Sequence, residues 1–549
     1  MSIRSRKHPS ASNRHPQRAL GALSLATGLA LSAHAMAATG DDVDASQRAS
    51  AKDLPAMKVE ASAVGDFKTD YADSPKYSQP LIDTTQTLSI ISKEILAEQG
   101  ATTLTEALRN SPGVGTFYVG ENGSTSTGDA IYMRGFDTAG SIFVDGIRDL
   151  GSISRDVFNI EQVEVLKGPA GTDSGRTEPS GSVTLVSKQP HLGNHSSGQL
   201  SWGSGDQRRG TVDWNRQFGE HSALRLNLMK QDGGVAGRDT VENNRWGIAP
   251  SVAFGLGTPT RVYVDLLHVS QDKLPDGGVP TIGLPGYSTP DPARPELGSA
   301  ARVDTSNFYG TLSDHDDVDA DMVTVRVIHE INGNATLFNT TRWGRNRQDY
   351  LLTSFMGRDE YVHTPNIDDP STWTIDRRIP TFKNQDNRIL ANQTQFVTSL
   401  ETGSIRHDLT AGLELLREKL ETTGMGALND TAWPAASLYH PDPDVSGLEY
   451  GPTGDDSSGR TDTGAVYLFD TLTFSPKWQL NGGVRLDHYN TQFSALDLCG
   501  GRRGPDCAGQ PEGTPLPSID AEVSGTLFNW KLGALYKPTP ETSLYANPA

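Results

Sequence analysis

The chain has 549 residues, 35% of them hydrophobic and 21% charged, with a formal net charge of −19. This length leaves room for more than one domain, and the acidic balance excludes a nucleic-acid binder that works through a basic footprint. Cys499 and Cys507 have no further soft ligands around them, which excludes a structural zinc site.

Residues 1–37 form a secretory signal. Arg4, Arg6, Lys7, Arg14 and Arg18 supply a basic start, Ala19 to Ala33 a short apolar stretch, and Ala35-Met36-Ala37 a cleavage site with small residues where they are needed. Export from the cytoplasm follows. No other run of about 18 apolar residues exists, so no transmembrane helix is expected. Residues 38–81 form an N-terminal segment. Asp41 to Asp53 is polar, Leu54-Pro55-Ala56-Met57-Lys58-Val59-Glu60-Ala61 is a mixed apolar octamer, and Ser62 to Leu81 is a linker.

Residues 82–190 mix short strands and helices. Leu88-Ser89-Ile90-Ile91 is strand-like, and Ser92 can cap a helix from Lys93 to Gln99 that Gly100 ends. Thr103 and Glu106 make a capping box for a second helix, which buries Leu104, Ala107 and Leu108 and stops before Pro112-Gly113. Ile142-Phe143-Val144 and Val163-Glu164-Val165-Leu166 are short strands separated by glycine-rich loops.

After Pro190 the pattern becomes repeated alternation. Leu224, Leu226 and Leu228 alternate with Arg225 and Asn227; Val323, Val325 and Val327 with Thr324 and Arg326. Leu409, Ala411, Leu413 and Leu415 alternate with Thr410, Gly412 and Glu414, and Val484 and Leu486 with Arg485 and Asp487. Period two suits a membrane β-barrel, which needs an apolar residue only at every second position and so stays polar in bulk composition. Strand-like runs fall near 197–205, 209–219, 222–231, 243–256, 260–272, 319–331, 335–349, 388–401, 405–420, 460–475, 478–491 and 526–537, and another begins at Ser543-Leu544-Tyr545-Ala546. Short turns (219–221, 331–334, 475–477) alternate with long connections (273–318, 350–387, 421–459, 492–525). Tight periplasmic turns and long extracellular loops produce that alternation in outer-membrane barrels. It places Cys499 and Cys507 outside the cell, where export permits a disulfide closing a short loop.

Enzyme motifs are missing. His329-Glu330 is followed by Gly333 where a zinc protease has histidine, and it lies in a strand. Gly168-Pro169-Ala170-Gly171-Thr172 lacks the lysine of a phosphate loop. Asp314 to Asp321 lacks the glycine and distal glutamate of a calcium loop and is expected to be a solvated acidic loop. No catalytic residue, metal site or cofactor is expected.

The segments Leu104 to Val114, Tyr132-Met133-Arg134-Gly135-Phe136, Phe143-Val144-Asp145-Gly146-Ile147-Arg148, Ile160 to Gly171 and Gly181 to Pro190 follow one another in order. This block resembles the plug domain of TonB-dependent outer-membrane siderophore receptors. Gly100-Ala101-Thr102-Thr103, Tyr118 to Gly123 and Gly151-Ser152-Ile153-Ser154-Arg155-Asp156 make it most similar to the Fiu-type catecholate receptors. The resemblance implies a β membrane fold: an α+β plug at 82–190 inside an antiparallel barrel of about 22 strands. Residues 191–549 carry twelve or thirteen of these, so the chain is expected to be a C-terminally truncated receptor. It implies the outer membrane of a Gram-negative bacterium and energy-coupled uptake of a ferric siderophore, catecholate in type, iron being cargo rather than cofactor. A hydroxamate or other nutrient receptor and a non-functional fragment are the alternatives. The implied partners are TonB with its ExbB–ExbD complex, the ferric siderophore and outer-membrane lipid, with no nucleic acid.

By the same resemblance, Leu54 to Ala61 (Leu54, Pro55, Ala56, Met57, Lys58, Val59, Glu60 and Ala61) is the TonB box, an extended segment that adds a strand to its partner. Phe117, Tyr118, Glu121 and Asn122 sit on one apical plug loop, Thr138 to Ser141 on a second, and Ser154 and Arg155 on a third. Arg155 is the foremost ligand contact, since a guanidinium both pairs with an anion and stacks on aromatic rings. Arg148 is a further candidate, whereas Arg134 belongs to a motif found across the family and is assigned to plug–barrel packing.

Overall fold

The computed structural model describes residues 67–116, 128–176, 179–284, 291–378, 380–500 and 504–548. The signal, the octamer 54–61 and the loop holding Phe117, Tyr118, Glu121 and Asn122 lie outside the described residues.

The plug is built on a five-stranded sheet of β1 (Thr87–Ser92), β2 (Ile142–Val144), β3 (Ile147–Arg148), β4 (Ile160–Lys167) and β5 (Gly181–Ser187), in the order β1-β4-β5-β2-β3. Two helices form as their caps predict. Ser92 accepts from the Ile95 N–H to start α1 (Lys93–Glu98), and Gly100, at φ +62°, follows its end in the left-handed region. A reciprocal capping box between Thr103 and Glu106 starts α2 (Leu104–Leu108). Leu104, Ala107 and Leu108 are buried, with Leu96, Ile91, Val144, Val163, Val165, Val183 and Leu185, in one continuous core. Each of the Leu, Ile and Val side chains contributes roughly 1.5–3 kcal/mol on burial.

The remainder is a thirteen-stranded antiparallel sheet in simple chain order. Its strands are β6 (His195–Trp202), β7 (Arg208–Gln217), β8 (Ser222–Asp232), β9 (Glu242–Phe254), β10 (Thr260–Leu274), β11 (His315–Asn332), β12 (Ala335–Leu352), β13 (Thr381–Thr402), β14 (Ile405–Thr423), β15 (Ser457–Ser475), β16 (Trp478–Leu498), β17 (Pro515–Thr539) and β18 (Thr542–Ala546). Among the described residues β6 and β18 do not pair with each other, so the wall is open. The faces alternate as expected: Leu413, Leu415, Val484 and Leu486 point outward and are exposed, whereas Arg225, Asn227 and Arg485 point inward and are buried. Trp246, Trp343 and Trp530 add aromatic bulk to the outer face. No described helix is long and apolar enough to cross a membrane.

Two expectations need correction. Several strands run further toward the long loops than alternation suggested; β13 starts at Thr381 rather than 388, and β17 at Pro515 rather than 526. Asp314 to Asp321 is not a solvated loop. His315 to Asp321 lie in β11, and Asp314 and Asp316 are buried. Alternation sends Asp316 inward and Asp317 to the other face.

Candidate functional site

The long connections pack against each other at one end of the wall. Ile282, Leu297, Val303, Tyr309, Phe355, Val362, Trp373, Ile375, Ala436 and Leu438 form a second hydrophobic core, drawn from three loops. The segments Val362–His363, Thr374–Ile375 and Ala436–Ser437 make a small sheet within it. Arg377 ties the loops together. Its guanidinium donates to the carbonyls of Tyr309 (2.9 Å), Gly310 (3.3 Å), Pro434 (3.2 Å) and Asp442 (2.6 Å). At the same end, Cys499 and Cys507 are joined in a disulfide, as expected from export.

Beneath Arg377, the Asp314 carboxylate accepts from the Thr353 N–H (2.8 Å) and the Thr311 hydroxyl (2.9 Å). Burial pushes its pKa up to about 7. Folding therefore favours the protonated form. The loop cluster is firmest below about pH 4, loses that increment as pH rises toward 7, and above 7 carries a cost of about 4 kcal/mol. Asp314→Asn keeps an acceptor for Thr353 and removes the ionisation. Protection from hydrogen exchange at 353–378, corrected for the intrinsic base-catalysed rate, should then be greater than in wild type at pH 8 and no longer vary between pH 5 and 8. An unchanged pH dependence in the variant would remove Asp314 as its source.

The plug apex faces these loops from within the wall, and each predicted site residue there has a definite place. Arg155 is buried, contrary to the role of an open ligand hand. Its Nε donates to Asp149 Oδ2 (2.6 Å), Nη1 to Asp129 Oδ2 and the Ile153 carbonyl (both 3.3 Å), and Nη2 to the Gly151 carbonyl (3.2 Å). Asp129 also accepts from the Arg155 N–H (3.0 Å) and Thr105 Oγ1 (2.9 Å). The clamp folds the loop 149–155 around one guanidinium, leaving few donors for a ligand. The chain crosses itself here at Gly128, φ +71°, where a Cβ would lie 2.4 Å from the backbone of Ser152 and Ile153.

Ser154 is half-buried, and its carbonyl accepts from Gln271 of β10 at 2.6 Å. With Arg155 it lines a largely apolar cavity against Leu267, Val269 and Met322 of the wall. Thr138 and Ser141 are fully buried, Thr138 Oγ1 donating to the Ile131 carbonyl at 2.7 Å, so they are core rather than ligand loop. Arg148 pairs with Glu418 of β14 (3.5 Å), which also receives Arg176 (2.6 Å). Arg134 is exposed at φ +51°, in a turn held by its N–H on the Gly113 carbonyl (2.9 Å).

Inward-facing polar residues of the wall complete the seat, and none of them was predicted. Gln348 reaches the Ser152 carbonyl (3.4 Å), and Asn346 bonds the carbonyl of Leu150. Arg342 donates to the Val144 carbonyl (2.6 Å) and Asp145 (2.9 Å). Arg209 grips Asp156 with two bonds (2.8 and 2.7 Å), and Arg245 approaches it at 3.3 Å. The usable signal was the spacing Arg342, Gly344, Asn346, Gln348, which puts three hydrogen-bonding side chains on one strand face.

At the opposite, short-turn end, residues 70–81 run as a strap across plug and wall. The Asp73 N–H donates to Glu164 Oε1 (2.7 Å), which also accepts from Gln162 (2.7 Å). Thr410 Oγ1 donates to the Pro75 carbonyl (3.1 Å), Lys76 to the Asp173 carbonyl, and Gln79 to Asp408 (2.8 Å). Burial, and then the neighbouring Asp73 charge, push the Glu164 carboxyl up to about 7.

Comparison with known proteins agrees with this architecture. Residues 80–182 match the TonB-dependent Receptor Plug Domain, and residues 265–547 match the TonB dependent receptor-like beta-barrel. The chain is 47% identical over 528 residues to the catecholate siderophore receptor Fiu of Escherichia coli UTI89, covering 96% of this chain and 68% of that protein. The Fiu of strain K12 is 48% identical over 496 residues, 90% of this chain and 65% of its own. The crystal structure of K12 Fiu in its closed form superposes with a TM-score of 0.83 at 48% identity, covering 88% of this chain and 68% of that one. The open form gives 0.80 at 47% identity, with 87% and 71% covered. The chain thus spans about two thirds of the length of these relatives. A plug seated by buried charge in a strand wall, with family matches to both plug and wall, shows that the chain belongs to the TonB-dependent receptors of the Gram-negative outer membrane.

Proposed function

We propose that this receptor takes up a ferric catecholate siderophore across the outer membrane in a TonB-dependent step, without covalent chemistry. The observation that carries the reading is the 47% identity to a catecholate siderophore receptor over 96% of the chain, including the plug apex. The layout supports it. A loop cluster roofs the long-loop end, an apex lies below it, and the strap that follows residues 54–61 reaches the short-turn end, where a periplasmic partner would engage. Ligand at the apex acts on that strap only through contacts that differ between bound and free states. Phe117, Tyr118, Glu121 and Asn122, which the resemblance assigns to an apical loop, are proposed as the ligand face, because the clamp occupies Arg155. TonB, with ExbB and ExbD, is the proposed energy source.

The test is iron uptake by cells that lack their own catecholate receptors and carry this one. Radiolabelled ferric catecholate should accumulate, ferric hydroxamate should not, and accumulation should vanish in a TonB-deficient strain. Accumulation of hydroxamate alone would replace the ligand assignment, and accumulation without TonB would overturn the mechanism.

A further inference from the structure

The inner face of β7 to β12 carries more arginine than the wall itself neutralises. Arg225 meets Asp213 (2.8 Å), Arg261 meets Glu330 (2.7 Å) and Lys273 meets Asp316 (3.6 Å), so these three bases are balanced within the wall. Arg209, Arg245, Arg326 and Arg342 remain, and among the described residues of these strands Asp265 is the one further inward carboxylate. The opposite side differs. There the buried Arg485 has wall partners in Asp487 (2.8 Å) and Glu414 (3.4 Å).

The plug covers the four arginines at two levels. Asp156 takes Arg209 and Arg245 at the upper level, toward the long loops. Asp145 takes Arg342 (2.9 Å) at the lower level, with Arg326 at 3.7 Å. Along β9 the inward residues run Arg245, Gly247, Ala249, Ser251, and Ser251 shares a register row with Asp265, Thr324 and Arg342. The levels are therefore six residues apart along the strand, roughly 20 Å.

Between them the wall is apolar. Met229, Ala249, Leu267, Val269 and Ala320 receive Ile153 and Phe158 of the plug. Phe158 lies on bare backbone at Gly247, where a Cβ would stand 2.9 Å from its ring. The plug thus offers this face a carboxylate, an aromatic ring and a second carboxylate, and the wall answers with arginines, a flat apolar patch and arginines. An aromatic anion carries both chemistries in one molecule. Arginine suits it, pairing with charge and stacking on rings. The upper level also has donors to spare, because Nε and Nη1 of Arg245 are buried without a hydrogen-bond partner.

We propose, on the reading of the cargo as a ferric catecholate, that this face of the wall is its transit route past the plug. Arg209 and Arg245 form an upper anion site and Arg326 and Arg342 a lower one, with the apolar patch between them holding an aromatic ring. Asp156, Phe158 and Asp145 are placeholders that keep the route closed at rest, and it opens when a pull draws the plug off the wall. Two sites in series take an anion and let it go, provided neither holds it tightly. Asp265 serves that end at the lower level, since its charge opposes retention of an anion.

The experiment measures the initial rate of ferric catecholate accumulation in energised cells, divided by the ligand bound at the surface of de-energised cells. Asp145→Asn is compared with Asp145→Asn combined with Arg342→Gln. If Arg342 only seats the plug, the single variant strands a buried charge and the double variant relieves it, so the double variant is at least as fast as the single. If Arg342 also carries cargo, the double variant should be about tenfold slower than the single one, the scale of one charge-assisted bond. A double variant as fast as the single variant would overturn the route. Heat-modifiable gel mobility reports assembly. Where the lower pair does not assemble, Asp156→Asn against Asp156→Asn with Arg245→Gln makes the same comparison at the upper level. No accumulation of ferric catecholate by wild type would overturn the cargo reading and the route with it, whereas wild-type accumulation with equal variants overturns the route alone.

Discussion

Val59→Pro is expected to abolish energised uptake while leaving ligand binding at the cell surface nearly intact. The expectation rests on the position of residues 54–61 ahead of the strap and on backbone chemistry. A segment that joins a partner's sheet contributes main-chain N–H groups, and proline has none to give. The apex proposed as the ligand face lies at the other end of the plug, so surface binding should be unaffected. Surface binding measured in de-energised cells and accumulation measured in energised cells separate the two effects. Wild-type accumulation by the variant would show that this segment is not where energy enters.

Arg155→Ala is expected to loosen the plug apex by about 3–5 kcal/mol, because it leaves Asp129 and Asp149 buried beside each other without their cation. Ligand affinity should fall as well, but as a consequence of a displaced loop. Hydrogen exchange across 128–156 in the absence of ligand distinguishes this from a lost contact. The structural reading requires exchange to rise in the ligand-free variant, and Arg155→Lys to recover only some of the protection, since lysine lacks the fork that spans Asp149 and Asp129. An apex as well protected as wild type, with ligand binding nonetheless weakened, would return Arg155 to the role of direct contact that its sequence suggested.

Local signals in the sequence were dependable where local physics decides the outcome. Ser92, the Thr103/Glu106 pair and Gly100 fix the two plug helices through bonds within a few residues. Period-two alternation located every wall strand, since Leu413 and Leu415 must face one way and Glu414 the other. The same rule failed at the long-loop ends. Beyond the apolar band both faces of β13 are polar, as in Asn384 to Arg388, and alternation leaves no contrast to read. The loop core was hidden for a different reason: Ile282, Phe355, Trp373 and Leu438 are scattered singly through polar segments and meet only in space. Arg155 illustrates the limit for sites. Its sequence neighbour Asp156 turns to Arg209 and Arg245 of the wall, while Arg155 takes Asp149 and Asp129. Sequence adjacency in an extended loop sends successive side chains in opposite directions.

The order of the strap's attachments along the chain sets how it responds to load. Tension applied from the N-terminal side meets first the bond that closes the strap on itself, the Leu81 N–H to the Asp70 carbonyl (2.7 Å). Once that parts it meets Asp73–Glu164, then Pro75–Thr410, then Lys76–Asp173, and last Gln79–Asp408. Bonds met in series break singly, as in peeling, so the peak force stays near that of a single attachment while the work is spread over the whole strap. Two of the four anchors are on the wall and two on the plug, and they alternate. A pull therefore transfers load back and forth between a fixed body and a movable one before the plug sheet itself is stretched.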